Sequence, residues 1–295
     1  LEHVEPMSIA TMVHLLRERL YWGEQERVPE PDLVMESQAQ TDAFALVGEQ
    51  DGVLAFLYLY NALQISTLIQ PGDQVLDLAC GPANQLLYMA RLNPTVRFTG
   101  VDASRSMLQL AQGTVARSQL DNIRLQQGDI THLGTIASAS MDCVTCTMSL
   151  HHLPDLSALS ATVQEIRRIL KPGGRVFLID FGRFKLRSTQ RFFADELGQS
   201  EQFTQDYFNS LRAAFSVAEL HAAAKMLAAG TQVYATVLAP FMVVVRSENR
   251  FPWQPGALQV AQTEFKQLNP AQKHNYRNIE NWFKMGGHAP PCTLA

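Results

Sequence analysis

The chain has 295 residues, 24 Lys+Arg against 28 Asp+Glu for a net charge of −4, 46% hydrophobic content and four cysteines. That length and hydrophobicity exclude a disordered chain and suit one large domain, or a core with covering elements. The acidic balance offers no face for a nucleic acid, and four cysteines are too few for a disulfide scaffold, so a reducing, cytoplasmic setting is expected.

The longest apolar run, Val53 to Tyr60, gives way to Asn61, Gln64, Ser66 and Thr67, short of the ~18 residues a membrane-spanning helix needs. No membrane partner is expected. The first residues lack the pattern of a secretion signal, and Met7 is a candidate native start.

Ile9, Met12, Val13, Leu16 and Leu20 recur at helical spacing, and Val53 to Ile69 predicts a second helix. Pro29, Pro31 and the polar residues up to Thr41 read as loop, so residues 1–70 form a helical N-terminal cap. After Pro71-Gly72 the pattern becomes short apolar runs alternating with amphipathic segments. Strands are expected at Gln74 to Leu78, Val96 to Val101, Ile123 to Gln126, Asp142 to Thr147 and Arg175 to Asp180. Helices are expected at Gln85 to Leu92, Ser106 to Arg117 and Leu156 to Leu170, the last stopped by Lys171-Pro172-Gly173-Gly174. This is the pattern of an α/β, doubly wound, Rossmann-like sheet over residues 71–183.

A helical stretch from Ser188 to Leu211 and a capping box at Ser216-Val217-Ala218-Glu219, opening a helix that ends at Gly230, make an inserted cap over 184–230. Gln232 to Leu238 and Met242 to Arg246 are joined only by Ala239-Pro240-Phe241, a link short enough to force an antiparallel closing hairpin over 231–247 and bring the sheet to seven strands. Residues 248–295, with Trp253, Tyr276, Trp282 and Phe283, form an extension that could serve as a lid.

In such sheets ligands bind beyond the carboxyl ends of the strands. The first strand runs into Asp77-Leu78-Ala79-Cys80-Gly81-Pro82-Ala83-Asn84, an acid followed by a tight loop of small residues. A dinucleotide would want G-x-G-x-x-G there, whereas the corresponding positions are Ala79, Gly81 and Asn84, and Asp77 would face the diphosphate. A carboxylate in that place suits a ligand with a positive end. Asp102, about 20 residues on, is placed to accept from ribose hydroxyls, and Gly128-Asp129-Ile130 follows the third strand.

Taken in order, V-L-D-L-A-C-G-P-A-N at 75–84, G-V-D-A-S at 100–104, G-D-I at 128–130, M-D-C-V-T-C-T-M-S-L-H-H-L-P-D at 141–155 and L-K-P-G-G-R-V at 170–176 resemble the motif set of class I S-adenosylmethionine-dependent methyltransferases, in particular the group that includes ubiquinone-biosynthesis and natural-product enzymes. The resemblance covers residues 70 to 246. It implies S-adenosylmethionine as cofactor, with Asp77 and Ala79 to Gly81 along its methionine part, Asp102 on the ribose, and Ala103 and Met107 beside the adenine. Asp129 would meet the adenine amino group, with Ile130 on the ring, and Thr147 to Ser149 would lie nearest the sulfonium. The loop departs from the family's glycine-rich pattern in having alanine at 79 and 83, which is tolerable if those positions keep negative φ.

Cys143 and Cys146 form a C-x-x-C, but on a strand they point to opposite faces and cannot share a metal, so they read as core thiols and no metal site is expected. His152 or His151 is the candidate base. Tyr21, Tyr58, Tyr60 and Tyr207 are candidate lid residues over a small-molecule acceptor, and Arg183 is a candidate carboxylate partner, although it and Lys185 read more simply as solvated. Methyl transfer to a small molecule is the expected chemistry. Cyclisation of the cofactor's own aminocarboxypropyl chain, releasing methylthioadenosine, needs the same clamp and stays open beside it. A non-catalytic cofactor-binding protein is the third reading, and the oligomeric state is not legible.

Overall fold

The computed structural model describes residues 8–36, 52–196, 201–227, 230–249 and 256–289, with 291, 292 and 294. Met7, the end of the first loop up to Thr41, and Trp253 lie outside the described residues.

The helices are α1 (Ile9–Leu20), α2 (Ala55–Ser66), α3 (Asn84–Leu92), α4 (Arg105–Ser118), α5 (Leu156–Ile169), α6 (Arg187–Glu196), α7 (Glu201–Ala213), α8 (Val217–Ala224), α9 (Ala257–Gln267) and α10 (Pro270–Met285). The strands are β1 (Gln74–Leu78), β2 (Arg97–Asp102), β3 (Ile123–Gln127), β4 (Met141–Thr147), β5 (Leu170–Phe181), β6 (Gln232–Ala235) and β7 (Met242–Arg246). They form one sheet in the order β3-β2-β1-β4-β5-β7-β6, parallel from β3 to β5 and closed by β7, which runs antiparallel to both β5 and β6. The α/β seven-stranded sheet with its closing hairpin is therefore the observed architecture.

Alternation along the strands divides the core between two faces. Val75, Phe98, Cys143, Phe177 and Ile179 join the cluster containing α2, α3 and the aromatic cap helices. Leu76, Val101, Val144, Cys146, Val176 and Leu178 join the cluster with α5 and α8. Cys143 and Cys146 thus face opposite layers as buried thiols. Helix starts are capped as their sequences suggest: Ser104 accepts from Met107 N, Asp155 from Ala158 N, and Ser216 and Glu219 form the expected capping box.

Several boundaries differ from expectation. Lys171-Pro172-Gly173-Gly174 does not stop a helix ahead of a separate strand; it is part of β5, and the register jumps from Met141↔Leu170 to Cys143↔Arg175 across it. Gly173 takes φ +76, which a bulge of this kind accommodates readily. The Ser188 to Leu211 stretch is two helices, α6 and α7. Helix α8 stops at Ala224, before Gly230, and β6 ends at Ala235 because Thr236 turns to bond Ala239 O.

Helices α9 and α10 pack mainly on α2, α9 also on α3, and Trp282 O of α10 accepts from Val237 N just after β6. Buried Arg246 of β7 anchors this assembly by donating to Gln64 Oε1 at 2.6 Å and Thr67 Oγ1 at 3.0 Å, with His288 Nε2 at 3.3 Å. Burial and the neighbouring guanidinium push His288 down to about 3, and its Nε2 also lies 3.1 Å from Gln64 Oε1.

Candidate active site

The strand order reverses between β1 and β4, and a cavity of 390 Å³ opens beyond their carboxyl ends. It is lined by Ala79, Gly81 and Asn84 after β1, Asp102, Ala103 and Met107 after β2, Asp129 and Ile130 after β3, and Thr147 and Ser149 after β4. Every expected cofactor position except Asp77 is on its wall.

Asp102 fixes the shape of the first loop: Oδ2 accepts from Gly81 N at 2.8 Å and Oδ1 from Ser104 N at 2.9 Å. Asp129 makes the turn after β3, Oδ1 accepting from Thr131 N at 2.8 Å. Asp77 sits one layer down, 1% exposed. Its Oδ1 accepts from Thr145 Oγ1 at 2.6 Å, while Oδ2 has no partner. Burial pushes its pKa up to about 7 against that hydrogen bond. A buried carboxylate with one orphaned oxygen favours a cationic neighbour.

Contrary to expectation, Ala79 and Ala83 adopt positive φ, +51 and +67. The loop turns from strand to helix within five residues, and the left-handed conformation supplies that turn at ~1 kcal/mol or more for each alanine. Gly100 on β2 allows the same loop to pack closely, since a Cβ there would stand 2.8 Å from Cys80 Sγ.

A second cavity of 230 Å³ adjoins the first, sharing Met35, Leu54, Met148 and His152 with it. Its walls are mainly apolar and include the aromatic rings of Phe56, Phe181, Phe193, Phe203, Tyr207, Phe241 and Trp282. His151 reaches this wall with Nδ1 2.7 Å from Asp180 Oδ1, and its backbone N–H donates to Asp180 Oδ2 at 2.8 Å. Burial pulls the imidazole down, but the charge and hydrogen bond of Asp180, with Glu30 beyond, outweigh it and raise its pKa. His152 differs: burial and the adjacent His151 hold it well below the ordinary range, and its Nδ1 has no partner.

Glu30, His151 and His152 each bring a ligating atom within 4.8 Å of the others. The His151 Nε2 to Glu30 Oε1 distance of 4.0 Å exceeds the ~3.3 Å between two ligands of a tetrahedral zinc. His151 Nδ1 lies on Asp180 and Nε2 faces Glu30, so both acids favour the charged form of the ring.

The lid candidates separate. Tyr58 lines the first cavity and Tyr207 the second. Tyr60 is 1% exposed, its ring stacked 5.9 Å from that of Phe283 in the core, on a side of α2 away from Phe56, Leu57 and Tyr58, which line the cavities. Tyr21 caps the end of α1 on the surface. Arg183 is neither solvated nor at the site; it pairs with Glu219 at 3.0 Å. Tyr21, Tyr60 and Arg183 line neither cavity. The sequence reading missed Asp180, although an acid ending a strand was a usable signal. It also missed Glu30 and the stretch Leu33–Met35 on the first cavity, for which no local pattern existed.

Residues 75–174 match the family model described as a methyltransferase domain. The match covers about a third of the chain, and the sheet order and loop arrangement above agree with it. Among curated proteins the chain is similar to demethylmenaquinone methyltransferase of Listeria monocytogenes serotype 4a, 34% identical over 38% of this chain and 46% of the relative. It is also similar to ubiquinone biosynthesis O-methyltransferase of Albidiferax ferrireducens, 35% identical over 38% and 42%. The match thus spans less than half of each relative. Two solved structures share the fold. The plantazolicin methyltransferase BpumL in complex with SAH has a TM-score of 0.56 at 13% identity, over 88% of this chain and 92% of its own. A proposed S-adenosyl-L-methionine-dependent methyltransferase of Methanococcus maripaludis has 0.55 at 17%, over 77% and 99%.

Proposed function

We propose that the protein transfers a methyl group from S-adenosylmethionine to a small, largely apolar acceptor. The observation that carries this reading is the pair of adjoining cavities, one walled by the loops after β1 to β4 and one by apolar and aromatic side chains around His151. Cyclisation of the cofactor would need only the first. The similar demethylmenaquinone and ubiquinone-biosynthesis methyltransferases agree with an apolar acceptor in kind.

The residues present fit the cofactor: the orphaned Asp77 Oδ2 suits an ammonium group, and Asp102 lines the cavity where a ribose would place its hydroxyls. When bound, the group supplies an electrophilic methyl on a sulfonium. The chain's own task is then to orient the acceptor, exclude water and accept a proton. Aromatic walls exclude water and present π faces to positive charge. His151, its Nδ1 held by Asp180, has only Nε2 free to take a proton, which makes it the base in preference to His152.

Incubation of the purified protein with S-adenosylmethionine alone, followed by mass spectrometry, tests this. Persistence of the bound cofactor until an acceptor is supplied is the expected result. Accumulation of methylthioadenosine above a protein-free control would establish cyclisation instead.

A further inference from the structure

One irregular segment, Tyr21 to Glu36, touches both the base and the cofactor cavity. Arg27 donates to the carbonyls of His151 at 3.0 Å, Leu153 and Pro154, and lies 4.1 Å over the Phe215 ring. Three residues on, the Glu30 side chain is 8% exposed; its Oε1 accepts from Ser210 Oγ at 2.7 Å and stands 4.0 Å from His151 Nε2. Leu33, Val34 and Met35 then wall the cofactor cavity. Met35 O accepts from Ser104 Oγ at 2.7 Å, and the Glu36 carboxylate accepts from Arg105 N at 3.0 Å and Ser106 Oγ at 2.9 Å, at the N-terminus of α4. The strap is therefore fastened at the catalytic turn by Arg27 and at the ribose-side helix by Glu36.

We propose that Glu30 is a positioning residue for the His151 base, and that the strap seats it there together with its own packing over the cofactor cavity, so that cofactor occupancy and the strength of the base are coupled. This rests on His151 being the base. The only ring nitrogen able to take the acceptor's proton is Nε2, and Glu30 is the acid on that side. Once the proton has moved from the acceptor to Nε2, the imidazolium lies between Asp180 of β5 and Glu30 of the strap. Arg27 on the strap opposes these two acids, while His152 on the same turn, held well below the ordinary range, carries no charge to do so. A closure of ~1 Å would bring Nε2–H into hydrogen-bond range of Glu30. Seating of the strap by a bound cofactor would favour that closure.

Histidine-selective isotope labelling with NMR pH titration reads this without an acceptor. Glu30→Gln is expected to lower the His151 midpoint by about half a unit or more, while Glu30→Asp, which keeps the charge, retains most of the wild-type midpoint. Saturating S-adenosylhomocysteine should move the midpoint in wild type and much less in Glu30→Gln. An unchanged midpoint in a folded Glu30→Gln variant would overturn the role of Glu30. An equal response to S-adenosylhomocysteine in both proteins would overturn the coupling. Calorimetric binding of S-adenosylhomocysteine to wild type separates these outcomes from the proposed function, since failure to bind would sink the cofactor reading and leave the Glu30 midpoint to be judged alone.

Discussion

Asp180 grips His151 twice, at the ring through Nδ1 (2.7 Å) and at the backbone through N–H (2.8 Å), so ring orientation and main-chain position are set by one carboxylate. Asp180→Asn should therefore lower methyl transfer more than His152→Ala does. A loss of about 10²- to 10⁴-fold in kcat is expected for Asp180→Asn or His151→Ala, with S-adenosylmethionine affinity within a few-fold of wild type. Equal effects from His151→Ala and His152→Ala would remove the distinction between the two histidines.

The same pair sets a pH dependence. The folded pKa of His151 is raised, so its contribution to stability is complete below ~6.5 and is lost as pH rises through the folded value. Activity runs the opposite way, because only the neutral ring accepts a proton. The acid limb of kcat should have its midpoint above ~6.5, the ordinary histidine value, and a profile flat from pH 6 to 8 would contradict a His151 base.

Asp77 gives a test of opposite character. Its folded pKa of about 7 exceeds the ordinary 3.8, so stability falls as pH rises from about 4 through 7 and then levels. Asp77→Asn keeps an acceptor for Thr145 and cannot ionise. The apo variant should melt higher than wild type at pH 8, by on the order of a few kcal/mol, and no higher near pH 4. It should also bind S-adenosylmethionine at least tenfold more weakly, about 1.4 kcal/mol, through loss of the ammonium's counter-charge. Unaltered affinity by calorimetry would show that Asp77 is only a structural acid.

Much of this was legible because strands and their terminal acids follow local rules. Alternation predicted the core faces, with Cys143 and Cys146 on opposite sides, and the three-residue Ala239-Pro240-Phe241 link predicted the hairpin. What escaped depended on distant partners. Glu30 meets His151 across 121 positions of sequence, and Arg183 finds Glu219 rather than solvent. Tyr60 shares a helix with Tyr58, yet the two rings leave α2 on different sides, one to the core and the other to the cofactor cavity. The Lys171-Pro172-Gly173-Gly174 stretch misled because turn residues can also make a bulge within a continuing strand.

Ala79 and Ala83 hold left-handed backbone that glycine adopts without penalty. Ala79→Gly and Ala83→Gly should each stabilise the protein by roughly 0.5–1 kcal/mol, read as a rise in urea midpoint at constant m. A fall in midpoint would mean that the alanine methyls contribute packing that outweighs the strain.

Asp102→Ala removes the acceptor for both Gly81 N–H and Ser104 N–H, so the loop after β1 loses its brace along with any contact to the cofactor. A drop in S-adenosylmethionine affinity of at least 100-fold, about 2.7 kcal/mol, is expected by calorimetry. A Kd near that of wild type would refute the assignment of this cavity.

The walls of the two cavities come from different parts of the chain. The first is made largely by residues 79–158, the second by α2, α6, α7 and α10, with Asn275, Asn278 and Trp282 from a helix that rests mainly on α2. Substitutions in these outer helices can reshape one chamber without passing through the loops of the other.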